Sequence, residues 1–228
     1  MIRLSISRLS KLIWEIIFDE AEFITNEEID EFNTNSISLE KLRVDADYNT
    51  GSVSISQAYL LYLITQFFKP KRVIEVGTFI GRSTIAMAQA MDKYSSEGEI
   101  YTCDASNSIG LPWEGSTKIT QFKKQTSVAM FQQLDGVYDF LFLDGRVVDE
   151  DLINMDRLIT DKSIIVLDDF EGIEKGVINL TYLKKLRKLQ NHQLVYPPDS
   201  ELLLSNQMSK KIPMALLIPR TLIRFTNQ

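Results

Sequence analysis

The 228 residues contain one cysteine and one histidine, Cys103 and His192. A lone cysteine excludes an intramolecular disulfide and any zinc site with two or more cysteine ligands. A lone histidine excludes metal sites built on two histidines, and Ser-His chemistry unless His192 is the base. Glycine (10) and proline (6) are too few for a low-complexity or collagen-like chain. Basic residues are outnumbered, with Lys+Arg 25 against Asp+Glu 31 and a net charge of −6. That balance argues against a protein built mainly to grip nucleic acid, and none is expected as a partner. Long apolar runs are lacking too. Residues 48–68 carry no formal charge, but their first half, YNTGSVSISQ, is polar, so no membrane span is expected.

What is present suits a globular chain. Hydrophobic residues make up 44% and charged residues 25%, enough apolar material for a core. At roughly 150 residues per domain, the length allows one large domain or one domain with an added terminal element. A reducing, cytoplasmic compartment is the default expectation.

The N-terminus starts basic and becomes apolar, like a leader, but Glu15 interrupts the apolar stretch and no small-x-small site follows. Leu9, Leu12, Ile13, Ile16 and Ile17 instead give one stripe of an amphipathic helix, packed on the core or on a partner subunit. Residues 46–54 are turn-rich and read as a linker or gate. Ser54 or Ser56 caps a helix over about 55–68, which Pro70 ends.

From Lys71 onward strands and helices alternate. RVIEV (72–76), EIYTCD (99–104), a weaker ITQFK (119–123), DFLFLD (139–144) and SIIVLD (163–168) read as strands. Helices are expected around Ile85–Met91, 126–134, Leu152–Ile159 and from Val177 to about 190. Two more strands, near 193–197 and 212–219, have no helix between them and form a terminal antiparallel hairpin. The fold class is therefore α/β: a Rossmann-like, doubly wound, mostly parallel seven-stranded sheet with a C-terminal antiparallel hairpin and N-terminal helices.

In such sheets ligands bind at the carboxyl ends of the strands, near the switch point. Those ends read EVGTFIGRST, CDAS, LDGR and LDDFEG. They carry Glu75, Asp104, Asp144 and the pair Asp168–Asp169, an acidic convergence that points to a ligand site. Gly77 and Gly81 allow tight turns and close approach to a ligand. Ser83 or Thr84 offers a hydroxyl in the next helical turn. The spacing G-x-x-x-G is not the dinucleotide G-x-G-x-x-G, which makes a nicotinamide dehydrogenase a distant reading. Asp104, at the end of the second strand, is placed to accept hydrogen bonds from ribose hydroxyls. Glu75 either meets a ligand or caps the glycine loop structurally. Cys103 and His192 read as packing residues. Trp113 reads as packing or cofactor contact.

KRVIEVGTFIGRSTIAMAQAM, GEIYTCDAS, GLPWEGSTKI, YDFLFLDG and SIIVLDD, in this order and spacing, resemble the class I S-adenosylmethionine-dependent methyltransferases. More narrowly they resemble the catechol and caffeoyl-CoA type O-methyltransferases, over about Ser54 to Leu180. The resemblance implies S-adenosyl-L-methionine as cofactor and O-methylation of a small-molecule hydroxyl. It implies Glu75, Gly77, Thr78, Phe79, Gly81 and Ser83 at the methionine end of the cofactor, Asp104 at the ribose, Ala105 and Ser127 at the adenine, and Val53 and Ser54 covering it. Asp144 would lie near the sulfonium. Asp144, Asp168 and Asp169 would hold a divalent cation, Mg²⁺, Ca²⁺ or Mn²⁺. Residues 1–53 would form a helical lid and dimerisation segment, residues 54–228 the Rossmann-like domain, and the assembly would be a homodimer.

Three positions depart from the family pattern. Asp169 stands where the family has asparagine. Val147 stands where it has the lysine that serves as candidate general base, with Arg146 beside it. Arg82 stands where it has tyrosine. No catalytic base is assigned, and two further readings remain: a metal-dependent oxygenase-like variant of the fold, and a catalytically silent cofactor-binding module. The stretch 198–212 and the N-terminal region are expected to shape the acceptor pocket.

Overall fold

The computed structural model describes residues 6–46 and 51–226. Residues 47–50 of the expected linker lie outside them. The helices are α1 (Ile6–Asp19), α2 (Asn26–Ser38), α3 (Ile55–Phe68), α4 (Arg82–Asp92), α5 (Ser127–Gln133), α6 (Asp149–Leu158), α7 (Lys175–Leu183) and α8 (Ser200–Ser205). The strands are β1 (Arg72–Val76), β2 (Glu99–Asp104), β3 (Lys118–Lys123), β4 (Phe140–Leu143), β5 (Ile164–Leu167), β6 (His192–Val195) and β7 (Ala215–Pro219). They form one seven-stranded sheet in the order β3-β2-β1-β4-β5-β7-β6. The first five strands are parallel; β7 runs antiparallel to both β5 and β6. The expected fold class is what the structure shows.

Strand alternation sorts the core into two layers. Val73, Ile100, Phe140, Phe142, Ile164 and Val166 face α1, α3 and α4. Ile74, Cys103, Leu141, Leu143, Ile165 and Leu167 face α5, α6 and α7. The strand order reverses between β1 and β4, so loops leaving their carboxyl ends diverge and open a crevice.

Local chemistry sets the boundaries. Ser54, not Ser56, caps α3: its hydroxyl accepts from Gln57 N (3.2 Å), and Gln57 Oε1 accepts from Ser54 N (2.8 Å). Lys69, in the left-handed region (φ 50°), closes that helix just before Pro70.

Three expectations need correction. The N-terminal helix forms, but its buried face is Ser10, Ile13, Trp14, Ile17 and Phe18, with Ile16 exposed. Trp14 decides the rotation: its ring is fully buried and Nε1–H donates to Tyr196 O at 2.6 Å. A fully buried large apolar side chain contributes about 1.5–3 kcal/mol, so the widest ring outweighs Ile16. The helix from Val177 stops at Leu183 rather than near 190, and a 3₁₀ turn follows at Arg187–Leu189. The stretch between β6 and β7 is not only loop: it holds α8, capped by Asp199, whose carboxylate accepts from Leu202 N at 2.9 Å.

Candidate functional site

A cleft of about 550 Å³ opens at the carboxyl ends of β1, β2 and β4. Gly77, Phe79, Asp104, Ala105, Ser127 and Asp144 line it, so six of the twelve expected cofactor residues share one wall. Arg146 and Lys175 line it too. A larger depression, about 740 Å³, lies among α1, α2, α3 and α8 but holds none of the strand-end acids. Phe18, Ile29, Leu202 and Met208 line it, so the two segments expected to shape an acceptor pocket do meet there.

The loop after β1 is wound tightly over the end of β2. Gly77 N and Thr78 N both donate to Cys103 O, at 2.9 and 3.1 Å. Gly77 has φ +107°, and a Cβ there would come within 3.1 Å of Gly145 N, so β1 and β4 loops touch only because this residue is glycine. Phe79 adopts φ 44°, unusual for an aromatic residue. Asp104 and Asn107 hold it there: Phe79 N–H donates to Asp104 Oδ2 at 2.9 Å, and Asn107 Nδ2 donates to Phe79 O at 3.0 Å. Asp104 Oδ1 accepts from Ser106 N and Asn107 N, both at 2.9 Å. The carboxylate is thus fixed by three backbone amides at the cleft wall.

The other six expected residues sit behind this wall rather than in it. Glu75 is fully buried, and its oxygens accept from the Ser83 and Thr84 hydroxyls, both at 2.5 Å. These bonds tie the end of β1 to the first turn of α4. Burial raises its carboxyl to about 7 despite those bonds. Ser83 is consumed in that bond. Thr78 meets Thr102 hydroxyl to hydroxyl, and Gly81 (φ +78°) begins α4. Val53 gives its carbonyl to Arg82 Nη1 at 2.6 Å, and Ser54 is spent capping α3. Gly51, two residues before Val53, is the linker residue that reaches the cleft.

Arg82, the departure from the tyrosine pattern, is buried at 5% exposure. Its guanidinium joins Glu40, Ser52 Oγ and Val53 O, tying the N-terminal segment to α4. Arg43 and Arg82 together hold the Glu40 carboxyl down at about 2. Arg43 also lies over the Phe79 ring, 5.1 Å from its centre.

Cys103 and His192 are packing residues, as read from the sequence. Burial pushes the thiol up to about 12, and His192 Nε2 lies 2.8 Å from Ser163 O. Trp113 packs away from the cleft, with Nε1 donating to Thr117 O at 2.8 Å.

At the inner end of the cleft, oxygens of Asp144, Asp168 and Asp169 lie within 4.8 Å of one another. Asp144 and Asp168 are buried; Asp169 is part-exposed and sits at φ 48°. Burial and mutual repulsion hold the Asp168 carboxyl well above its ordinary range, and burial raises Asp144. Three clustered carboxylates suit a hard cation in chemistry and spacing. A cation is already among them. Lys175 Nζ lies 2.5 Å from Asp144 Oδ1 and 3.0 Å from Asp169 Oδ2. The third acid has its own donor, Gln57 Nε2, 3.0 Å from Asp168 Oδ1. As arranged, the residues do not fit a divalent ion unless Lys175 leaves.

Sequence reasoning missed Lys175. It noted the lysine missing at 147, where Val147 is buried in the core beneath α6 and α7. It did not look for another ammonium reaching Asp144 from a different element. Gly176 carries the signal: a Cβ there would lie 2.1 Å from Asp168 O, so glycine lets α7 dock on the turn after β5.

Comparison with known proteins agrees with this architecture. Residues 74–170 match the family model described as a methyltransferase domain. Caffeoyl-CoA O-methyltransferase 2 of Petunia hybrida is 24% identical over 180 residues, covering 72% of this chain. The chain spans 65% of that relative's length. The solved O-methyltransferase TomG from Streptomyces achromogenes, in complex with SAM, superposes with a TM-score of 0.58 at 17% identity, covering 81% of this chain and 89% of that one. An O-methyltransferase from Bacillus cereus, in complex with SAH, gives 0.55 at 15%, covering 81% and 90%. Residues 74–170 and the fold are thus similar to the class I S-adenosylmethionine-dependent methyltransferases. Within that class the chain is similar to the caffeoyl-CoA type O-methyltransferases, as its strand-end motifs indicated.

Proposed function

We propose that this protein is an S-adenosyl-L-methionine-dependent O-methyltransferase acting on a hydroxyl of a small molecule. The observation that carries the reading is Asp104: a carboxylate locked by three backbone amides at the end of β2, facing a cleft at the switch point of the sheet. The cleft's volume falls in the ordinary range for small-molecule sites. The cofactor, bound there, supplies an electrophilic methyl group.

This chain's residues do the rest. Asp104, at the cleft wall, would accept from the ribose hydroxyls. Phe79 and Val128 give the wall apolar surface, and Ala105 and Ser127 leave room beside them. Asp144, paired with Lys175, would place a carboxylate near the sulfonium of a bound cofactor. The acceptor's hydroxyl proton must depart as its oxygen attacks, and Asp144 is the triad carboxylate that lines the cleft. Arg146 at the mouth suits an anionic group on the acceptor.

A homodimer in a cytoplasmic setting remains part of this reading, with residues 1–53 as lid. The buried face of α1, Ile13, Trp14, Ile17 and Phe18, packs within the chain itself. The test is transfer of an isotopically labelled methyl group to a panel of hydroxyl-bearing small molecules. Label on oxygen supports the proposal. Label found only on nitrogen or sulfur acceptors overturns it.

A further inference from the structure

The Asp144–Asp168–Asp169 cluster has the donor set of a divalent-metal site but contains a cation of its own. We propose that the Lys175 ammonium is the resident counter-ion of this triad, and that the site is closed to divalent metals while Lys175 is in place.

Three contacts lead there. Lys175 Nζ touches two of the three acids, at 2.5 Å from Asp144 Oδ1 and 3.0 Å from Asp169 Oδ2. Asp144 Oδ1 is buried and has no directed hydrogen bond; among the described residues the ammonium is its partner, as an ion pair. Asp168, the third acid, is engaged by Gln57 from α3. All three carboxylates therefore have protein donors.

The backbone is built to deliver the lysine. Lys175 is the first residue of α7, where the helix dipole disfavours a positive charge, so the acids must be what holds it there. Gly176 beside it permits contact with Asp168 O that any side chain would block, its Cβ falling 2.1 Å away. The lysine is also three-quarters covered, with 23% of its side chain exposed. It is not a surface lysine that swings away freely. A divalent ion entering the triad would have to displace this ammonium or share the acids with it against strong repulsion.

The chemical consequence is a change in what supplies positive charge. A metal among three carboxylates would leave a net charge of −1; a lysine leaves −2 if all three are ionised. Lys175 lines the cleft as well as the triad, which makes it a positioning residue: it fixes Asp144 and is the lysine that lines the cleft among the described residues.

The inference concerns the site of the proposed transferase and rests on that reading only for what the charge is for. Its test does not depend on the cofactor. The full chain, stripped of metals, is titrated with Mn²⁺ followed by electron paramagnetic resonance of the free ion. The wild type, Lys175→Gln and the double variant Lys175→Gln/Asp144→Ala are compared, each checked for folding by thermal melting. We expect no stoichiometric binding to wild type at about 1 mM Mn²⁺. One ion should bind Lys175→Gln at least about tenfold more tightly, and the double variant should lose it. Stoichiometric binding to the wild type overturns the proposal. So does absence of binding to a folded Lys175→Gln, which would mean the lysine is not what keeps metal out. Failure to bind S-adenosylmethionine would sink the transferase reading and leave this result standing.

Discussion

The backbone N–H of Phe79 donates to Asp104 Oδ2 at 2.9 Å, joining the loop after β1 to the end of β2. This bond holds an aromatic residue at φ 44° and fixes the carboxylate that faces the cleft. Backbone strain of this kind persists only where surroundings over-determine it. Asp104→Asn should therefore be costly although it is nearly isosteric. The new amide would turn an N–H toward Phe79 N, or toward Ser106 N and Asn107 N, leaving a buried donor unpaired. Urea unfolding should report a loss of about 1–3 kcal/mol.

Glu75 predicts a pH dependence. Its folded carboxyl is raised to about 7 by burial, against an ordinary value of 4.5. A raised acid contributes stability that is present below the unfolded value and lost as pH rises through the folded one. The wild type should therefore lose stability between about pH 4.5 and 7, by about 2–3 kcal/mol from this group. Glu75→Gln should flatten that part of the profile, measured as denaturant midpoint against pH. An unchanged slope would show that Glu75 does not titrate in this range.

Arg82 holds the N-terminal segment on the domain through Glu40 and the Val53 carbonyl. Arg82→Ala should cost about 2–4 kcal/mol, because a buried charged network loses its centre. Trypsin should then cut faster at Lys41 or Arg43. Arg82→Lys should restore little, since one ammonium cannot replace a planar fork spanning several acceptors.

Lys175→Gln should be destabilising in a pH-dependent way. Asp144 and Asp168 are both raised above their ordinary range, burial being the main cause. Their contribution is present below the unfolded carboxylate range and is lost as pH rises through the raised values. Removing the ammonium raises them further. The gap in melting temperature between variant and wild type should be small under acidic conditions and widen toward alkaline pH. A gap constant across pH would contradict the ion-pair account.

The sheet was legible because its strands are short apolar runs bounded by glycine, proline and acids, as RVIEV between Pro70 and Gly77 shows. The helix cap at Ser54 was legible as a hydroxyl before an apolar run. α8 was not, because six residues are too few for helical periodicity; Asp199 was its one sign. The end of α7 was hidden because Leu186 and Leu189 continue the apolar spacing although they are buried through a 3₁₀ turn. At the site, the acids were visible as strand ends. Which side chains face the cleft was not, since Ser83 lies one turn from it yet spends its hydroxyl on Glu75. Lys175 was invisible for a deeper reason: five residues lie between it and Asp169, and the docking of Gly176 against Asp168 brings them together.

The central claim is most directly tested by calorimetric titration of the full chain with S-adenosylhomocysteine and S-adenosylmethionine, beside an Asp104→Ala control. The account predicts one-to-one binding of both ligands, with a Kd on the order of 1–100 μM, weakened at least about tenfold by Asp104→Ala. Absence of binding by the folded wild type to either ligand at about 1 mM would contradict it.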